Sequence, residues 1–146
     1  RGGRIWEPAC GDGAISKVLE GRGYEVVSTD LHDRGYGESG MNFLTAECAC
    51  GGIITNPPFN LAAEFIERSA AKHVPFAMLT KATFWHAKKR QKLFEATRPM
   101  AVIAMTWRPA MSPERGKSAT MDFIWTVWGS TPNYTTKYIL QGKISD

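Results

Sequence analysis

Long apolar runs are missing from this chain and cysteine is rare, and both absences narrow what it can be. No stretch approaches the roughly 20 consecutive apolar residues that cross a bilayer, and no signal-peptide pattern opens the sequence, so a soluble protein with no membrane partner is expected. The three cysteines, Cys10, Cys48 and Cys50, are odd in number and lack a second pair. Neither a disulfide framework nor a metal cluster is indicated, and a reducing cytoplasm fits best. No metal site is expected. The 14 acidic residues stand against 18 Lys and Arg, a net charge of +4, which is compatible with a polyanionic partner without requiring one. There is no internal repeat. With 146 residues, 43% hydrophobic and 11% aromatic, the chain can bury one sizeable core, and a single domain over residues 1–146 is expected.

What is present centres on Ile53-Ile54-Thr55-Asn56-Pro57-Pro58-Phe59-Asn60. A β-branched run that stops at two prolines reads as a buried strand entering a rigid turn. The prolines fix φ near −65° and bias Asn56 and Pro57 toward extended backbone, which holds the Asn56 side chain and the neighbouring carbonyls at the strand's carboxyl end. Open α/β sheets bind ligands at that end. An amide oxygen beside a peptide carbonyl makes a pair of acceptors suited to an exocyclic NH₂ group, and Phe59 offers a flat ring for stacking.

Upstream, Arg4-Ile5-Trp6-Glu7 reads as a strand, Pro8-Ala9-Cys10-Gly11-Asp12-Gly13 as a glycine-rich turn, and Ala14 to Glu20 as a helix. Gly11 and Gly13 allow close backbone approach and positive φ, with free N–H groups at the helix start. A dinucleotide fingerprint would need a third glycine where Ser16 stands, which disfavours a nicotinamide cofactor. Glu25 to Thr29 forms a second strand with Asp30 at its tip, placed to accept hydrogen bonds from ribose hydroxyls. A turn or cap aspartate is the alternative. Leu31 to Gly37 is too short and turn-rich for a full helix and reads as a loop.

These motifs resemble those of the amino-group methyltransferases that use S-adenosylmethionine, in family order from Arg4 to about Trp128. Asn56-Pro57-Pro58-Phe59 resembles motif IV, in its N6-adenine form, and implies catalytic roles for all four residues, with Asn56 also near the cofactor. Glu7 to Gly13 resembles motif I, which implies that Pro8, Ala9, Cys10, Gly11 and Gly13 embrace the methionine part of the cofactor and that Glu7 holds its amino group, directly or through water. Asp30, followed by Leu31, takes the ribose position. Asn42-Phe43-Leu44 resembles motif III, with Asn42 in place of the usual acid facing the cofactor's adenine and Phe43 as the aromatic against its ring.

The resemblance implies a Rossmann-like class I methyltransferase fold: a mostly parallel seven-stranded sheet with an antiparallel last strand. Ile53 to Thr55 is then its fourth strand, Val74 to Thr80 its fifth, Ala101 to Met105 its sixth and Asp122 to Trp128 its seventh. An amphipathic helix from Leu61 to about Lys72 and a basic helix from Phe84 to Ala96 lie between. Lys88, Lys89, Arg90 and Lys92 read as a solvated face, with phosphate contact the alternative. In the segment from Thr106 to Thr120, Trp107 occupies the motif VIII position of an aromatic against a flipped base, or else caps the core. Arg108, Arg115 and Lys117 are candidates for its phosphates. Cys48 and Cys50 read as buried packing.

The implied activity is methyl transfer from S-adenosylmethionine to the adenine N6 amino group in DNA, with the target flipped from the duplex. The short DNA N6-adenine methyltransferases of phages and prophages are similar. RNA adenine or protein glutamine as acceptor, or a non-catalytic cofactor- and nucleic-acid-binding subunit, are the alternatives. Motif X of the family precedes motif I, and the sequence begins at Arg1. No separate target-recognition domain is expected, and no feature sets an oligomeric state.

Overall fold

The computed structural model describes residues 3–109 and 121–145. Its elements are β1 (Ile5–Glu7), α1 (Ala14–Gly21), β2 (Val26–Ser28), β3 (Gly52–Thr55), α2 (Ala62–Ala71), β4 (Phe76–Lys81), α3 (Gln91–Thr97), β5 (Ala101–Met105), β6 (Phe123–Trp128) and β7 (Lys137–Gln141). They form one seven-stranded sheet in the order β2-β1-β3-β4-β6-β5-β7. Strands β2, β1, β3 and β4 are mutually parallel, β6 runs antiparallel to both β4 and β5, and β7 is parallel to β5.

The chain leaves β1 toward β2 through α1 and returns to the other side of β1 at β3 before stepping to β4. The direction of winding therefore reverses between β1 and β3, which opens a crevice above their carboxyl ends. A core of Trp6, Phe43, Ile53, Phe65, Ile66, Phe76, Met78, Leu93 and Trp128 lies between the sheet and α2 and α3. The apolar positions of α2 recur at helical spacing: Ala62, Phe65, Ile66 and Ser69 are its buried face. Stacking of Phe76 on Trp128, with centroids 4.4 Å apart, ties β4 to its antiparallel neighbour, and each such aromatic pair adds about 0.5–1.5 kcal/mol beyond its burial.

Seven strands form, but they are not the seven counted along the sequence. No strand forms at Asn42-Phe43-Leu44. There the Asn42 carbonyl accepts the N–H groups of Thr45 and Ala46, a tight turn that drops Phe43 into the core between Trp6 and Phe65. In place of a third strand, the loop after Asp30 returns to β2 through one parallel bridge, Thr29 to Glu38. The seventh strand is β7, beyond β5. The antiparallel strand is β6 as expected, although it is followed by a parallel one.

The basic helix from Phe84 to Ala96 is also shorter than expected: turns and a 3₁₀ segment (Lys88–Arg90) lead into α3. Tertiary packing outweighs propensity here. The Trp85 indole N–H donates to Thr126 Oγ1 on β6 at 3.0 Å, while half-buried Phe84 packs edge-on against Trp85 with Arg90 over its ring. Ala87, between them and the 3₁₀ turn, is extended, with φ −133° and ψ 130°.

Candidate active site

The carboxyl ends of β1, β2, β3 and β4 lie side by side and bring the turn from Glu7 to Gly13, Asp30 and the tetrad Asn56-Pro57-Pro58-Phe59 to one edge of the sheet. The turn from Glu7 to Gly13 is held from three directions. The Cys10 N–H donates to the Thr29 carbonyl at 3.0 Å, the Gly13 N–H to the Cys10 carbonyl at 2.8 Å, and the Gly11 N–H to Asp30 Oδ2 at 2.9 Å. Asp30 Oδ1 accepts the His32 N–H at 2.9 Å. Asp30 is 7% exposed, and its carboxylate fastens the glycine turn to the tip of β2 while two of its roughly four acceptor directions remain.

Glycine is needed at two points of this turn. Gly11 has φ +55° with open space where a Cβ would stand, and Gly13 has φ +85° with the Tyr36 ring 2.6 Å from that position. Open space above Gly11 is what a ligand needs to approach the backbone. Tyr36 reaches over from the loop after Asp30, and its hydroxyl donates to Glu20 at 2.8 Å.

Glu7 ends β1 and is 1% exposed. Its carboxylate accepts hydrogen bonds from the Ser16 hydroxyl and, through the backbone, from the Ser16 N–H. The Ser16 hydroxyl also lies 2.6 Å from Ser28 Oγ. Burial dominates its ionisation and pushes the carboxyl up to about 7, against the lowering effect of the Ser16 bonds. Burial likewise pushes the Cys10 thiol up to about 11, so it stays protonated and packs beneath the turn, with Sγ 3.4 Å from the Tyr36 carbonyl oxygen. Pro8 is buried, Ala9 is half-buried, and Leu31 is half exposed beside the site.

The tetrad follows β3 as an extended Asn56-Pro57-Pro58 and a single 3₁₀ turn, Phe59–Leu61, that leads into α2. Asn56 Oδ1 is buried and has no hydrogen-bond partner, as is Thr55 Oγ1 one residue before it. An orphaned buried acceptor costs about 1–3 kcal/mol, which leaves Asn56 Oδ1 with acceptor capacity to spare at the carboxyl end of β3. Phe59 is 43% exposed. Its ring lies 6.0 Å from Phe123 at the start of β6 and has Lys81 Nζ 4.5 Å from its centroid.

Other expected residues are placed differently. Phe43 is 2% exposed within the core, and Asn42 is exposed with its side-chain oxygen accepting the Leu44 N–H at 3.1 Å. Trp107 is half-buried just beyond β5. Arg108 pairs with Asp122 at 2.7 Å, an exposed bridge worth at most about 1 kcal/mol. Arg115 and Lys117 lie outside the described residues. Sequence reading missed Ser16, Tyr36 and Lys81. Only Ser16 left a sequence signal, as the polar residue where a dinucleotide turn has glycine.

No family model matches the sequence, and no curated protein matches it. Solved structures do. The chain is similar to a predicted O-methyltransferase, protein Atu636, from Agrobacterium tumefaciens, at 13% identity and a TM-score of 0.60 over 99% of this chain and 80% of that one. It is similar to magnesium protoporphyrin IX methyltransferase from Synechocystis PCC 6803, solved with bound S-adenosylmethionine, at 13% identity and 0.56 over 88% and 71%. It is also similar to the Dnmt2 methyltransferase of S. pombe, at 12% identity and 0.55 over 93% and 51%. The fold is therefore the Rossmann-like fold of class I methyltransferases.

Proposed function

We propose that this chain binds S-adenosylmethionine and transfers its methyl group to the N6 amino group of adenine in DNA. The observation that carries the reading is Asn56 Oδ1, a buried acceptor without a donor, held by Pro57 and Pro58 at the carboxyl end of β3 beside the winding reversal. We assign the cofactor to the remainder of the crevice. The Gly11 and Gly13 turn admits its methionine part, Asp30 keeps acceptor capacity for ribose hydroxyls, and buried Glu7 holds the turn in shape from below.

When bound, the cofactor supplies an electrophilic methyl group on a sulfonium. The adenine amino nitrogen is a poor nucleophile because its lone pair is delocalised into the ring. Accepting its two hydrogens at Asn56 Oδ1 and the Pro57 carbonyl favours a pyramidal nitrogen whose lone pair is free to attack. With the cofactor bound, the methyl carbon would pass to this nitrogen as its bond to sulfur broke and the bonding pair stayed on sulfur; Asn56 Oδ1 and the Pro57 carbonyl would hold the two N–H groups, and one proton would be lost to solvent after attack. No general base of shifted pKa is needed before attack. The adenine must first leave the base stack, and Phe59 offers its exposed ring to the everted base. Trp107, Arg108, Arg115 and Lys117 are assigned to the base and its phosphates.

Transfer of label from methyl-labelled cofactor to duplex DNA, structured RNA and protein tests the assignment. Label in N6-methyladenine of DNA is expected. Label in RNA or in a protein side-chain amide would move the same acceptor pair to another substrate, and binding of DNA without transfer would make the chain a binding subunit.

A further inference from the structure

The segment from Lys81 to Lys92 begins where β4 reaches the carboxyl edge, one strand away from Asn56. It contains Lys81, His86, Lys88, Lys89, Arg90 and Lys92 and no acidic residue. Lys81, His86, Lys88, Lys89 and Lys92 are exposed. Among the described residues, none of these cations lies within ion-pair distance of a carboxylate. The nearby acids are otherwise engaged: Asp122, whose carbonyl accepts the Ala82 N–H, pairs with Arg108, and Glu95 accepts from the Gln91 side chain at 3.0 Å.

Aromatic rings alternate with these charges. Lys81 stands over Phe59 and the Arg90 guanidinium 4.5 Å over Phe84. Behind them lies an open cleft of about 400 Å³ walled by Trp85, His86, Lys88, Arg90 and Phe94, with Glu95, bonded to Gln91, at its side. Its Trp85 ring is fixed by the bond to Thr126 and by edge contacts with Phe84 and Phe94. Cations spaced along a surface with aromatic faces between them are the arrangement that tracks a phosphate backbone while unstacked bases rest on rings.

We infer that the surface from Lys81 to Lys92 is the track for the nucleic-acid strand carrying the target base, with Lys81 marking its entry beside Phe59 and the Trp85 cleft taking a neighbouring nucleotide. The inference rests on the proposed function in naming DNA. Lys81 then leaves the Phe59 ring for a phosphate when the target base arrives, so one side chain both shields the ring when it is empty and draws in the strand.

Fluorescence anisotropy with an adenine-containing DNA strand across a salt series tests it. Lys88→Ala, Lys89→Ala and Lys92→Ala combined change only exposed side chains, and Arg34→Ala, Lys137→Ala and Lys143→Ala combined serve as a charge-matched control. Each phosphate contact contributes about 0.7–0.9 to the slope of log affinity against log salt. The first variant is expected to flatten that slope by roughly 2, with the control unchanged and cofactor affinity kept in both. An unchanged slope, equal flattening in the control, no salt-dependent DNA binding by the wild type, or displacement of DNA by polyglutamate at equal charge would each overturn the track. A failure of the proposed function reads out separately, as label in another acceptor, and leaves the slope comparison intact.

Discussion

Asp30 and Gly11, nineteen residues apart, are joined by a 2.9 Å hydrogen bond from the glycine amide to the aspartate carboxylate. The residue assigned to the ribose is thus also the clasp of the turn assigned to the methionine moiety, and one side chain sets both halves of the proposed cofactor site. Asp30→Ala removes a charged acceptor from both. Cofactor affinity measured by calorimetry is expected to fall by about 1–3 kcal/mol. An unchanged affinity would remove Asp30 from the site.

Asn56→Ala separates chemistry from binding. Loss of a hydrogen bond made in the transition state is expected to lower the single-turnover transfer rate by about 10²–10³ at saturating cofactor, with cofactor affinity nearly unchanged. The alanine variant also deletes an unpartnered buried acceptor, so its melting temperature is expected to match or exceed that of the wild type. Wild-type turnover by this variant would leave the tetrad as only a strand-ending turn.

Glu7 gives the protein a pH dependence opposite to that of ordinary carboxylates. Its carboxyl is raised from 4.5 to about 7 by burial, so the folded state holds a proton that the unfolded state has released. That contribution is fully present below about pH 4.5 and is lost as pH rises through 7, with a span of up to about 3 kcal/mol. Glu7→Gln keeps the acceptor for Ser16 and cannot ionise. The melting temperature of the wild type relative to this variant is expected to fall between pH 5 and 8, and a constant difference would refute the raised ionisation.

Gly13→Ala forces a Cβ into a left-handed backbone and against the Tyr36 ring. The backbone part costs about 1–2 kcal/mol, and the steric part adds to it. Tyr36→Ala in the same chain relieves only the second part. Denaturation of the two single variants and the double variant is therefore expected to show a favourable coupling, and simple additivity would mean that the ring does not press on the turn.

The parts of the site that were legible are those fixed by neighbours in the chain. The prolines set the backbone around Asn56, the glycines set the turn after β1, and a polar tip on a short apolar strand placed Asp30 at the edge. The illegible parts depend on register between strands far apart in sequence. Lys81 meets Phe59 only because β4 pairs with β3 so that Met78 stands opposite Thr55, and nothing local in either segment encodes that offset. Phe43 and Trp85 show the same limit from the other side: each aromatic was placed by what it packs against and not by the propensity of its own segment. Sequence reading misses β7 although Tyr138-Ile139-Leu140 is a short run of strand formers, because all five of its residues are exposed and no apolar/polar alternation marks a buried face.

The insertion of β6 between β4 and β5 also sets an order of assembly. Strands β1 to β4 pair with one another, but the core beneath them takes Leu93 from α3 and Trp128 from β6, so the half-sheet holding Gly11, Asp30 and Asn56 is fully packed only once β6 is in place. β5 emerges next but has no partner in that half of the sheet, because its only neighbours, β6 and β7, are encoded later. Its apolar Ala101-Val102-Ile103-Ala104-Met105 is left exposed until Phe123 to Trp128 arrives. Docking of β6 thus covers the open edges of β4 and β5 in one step.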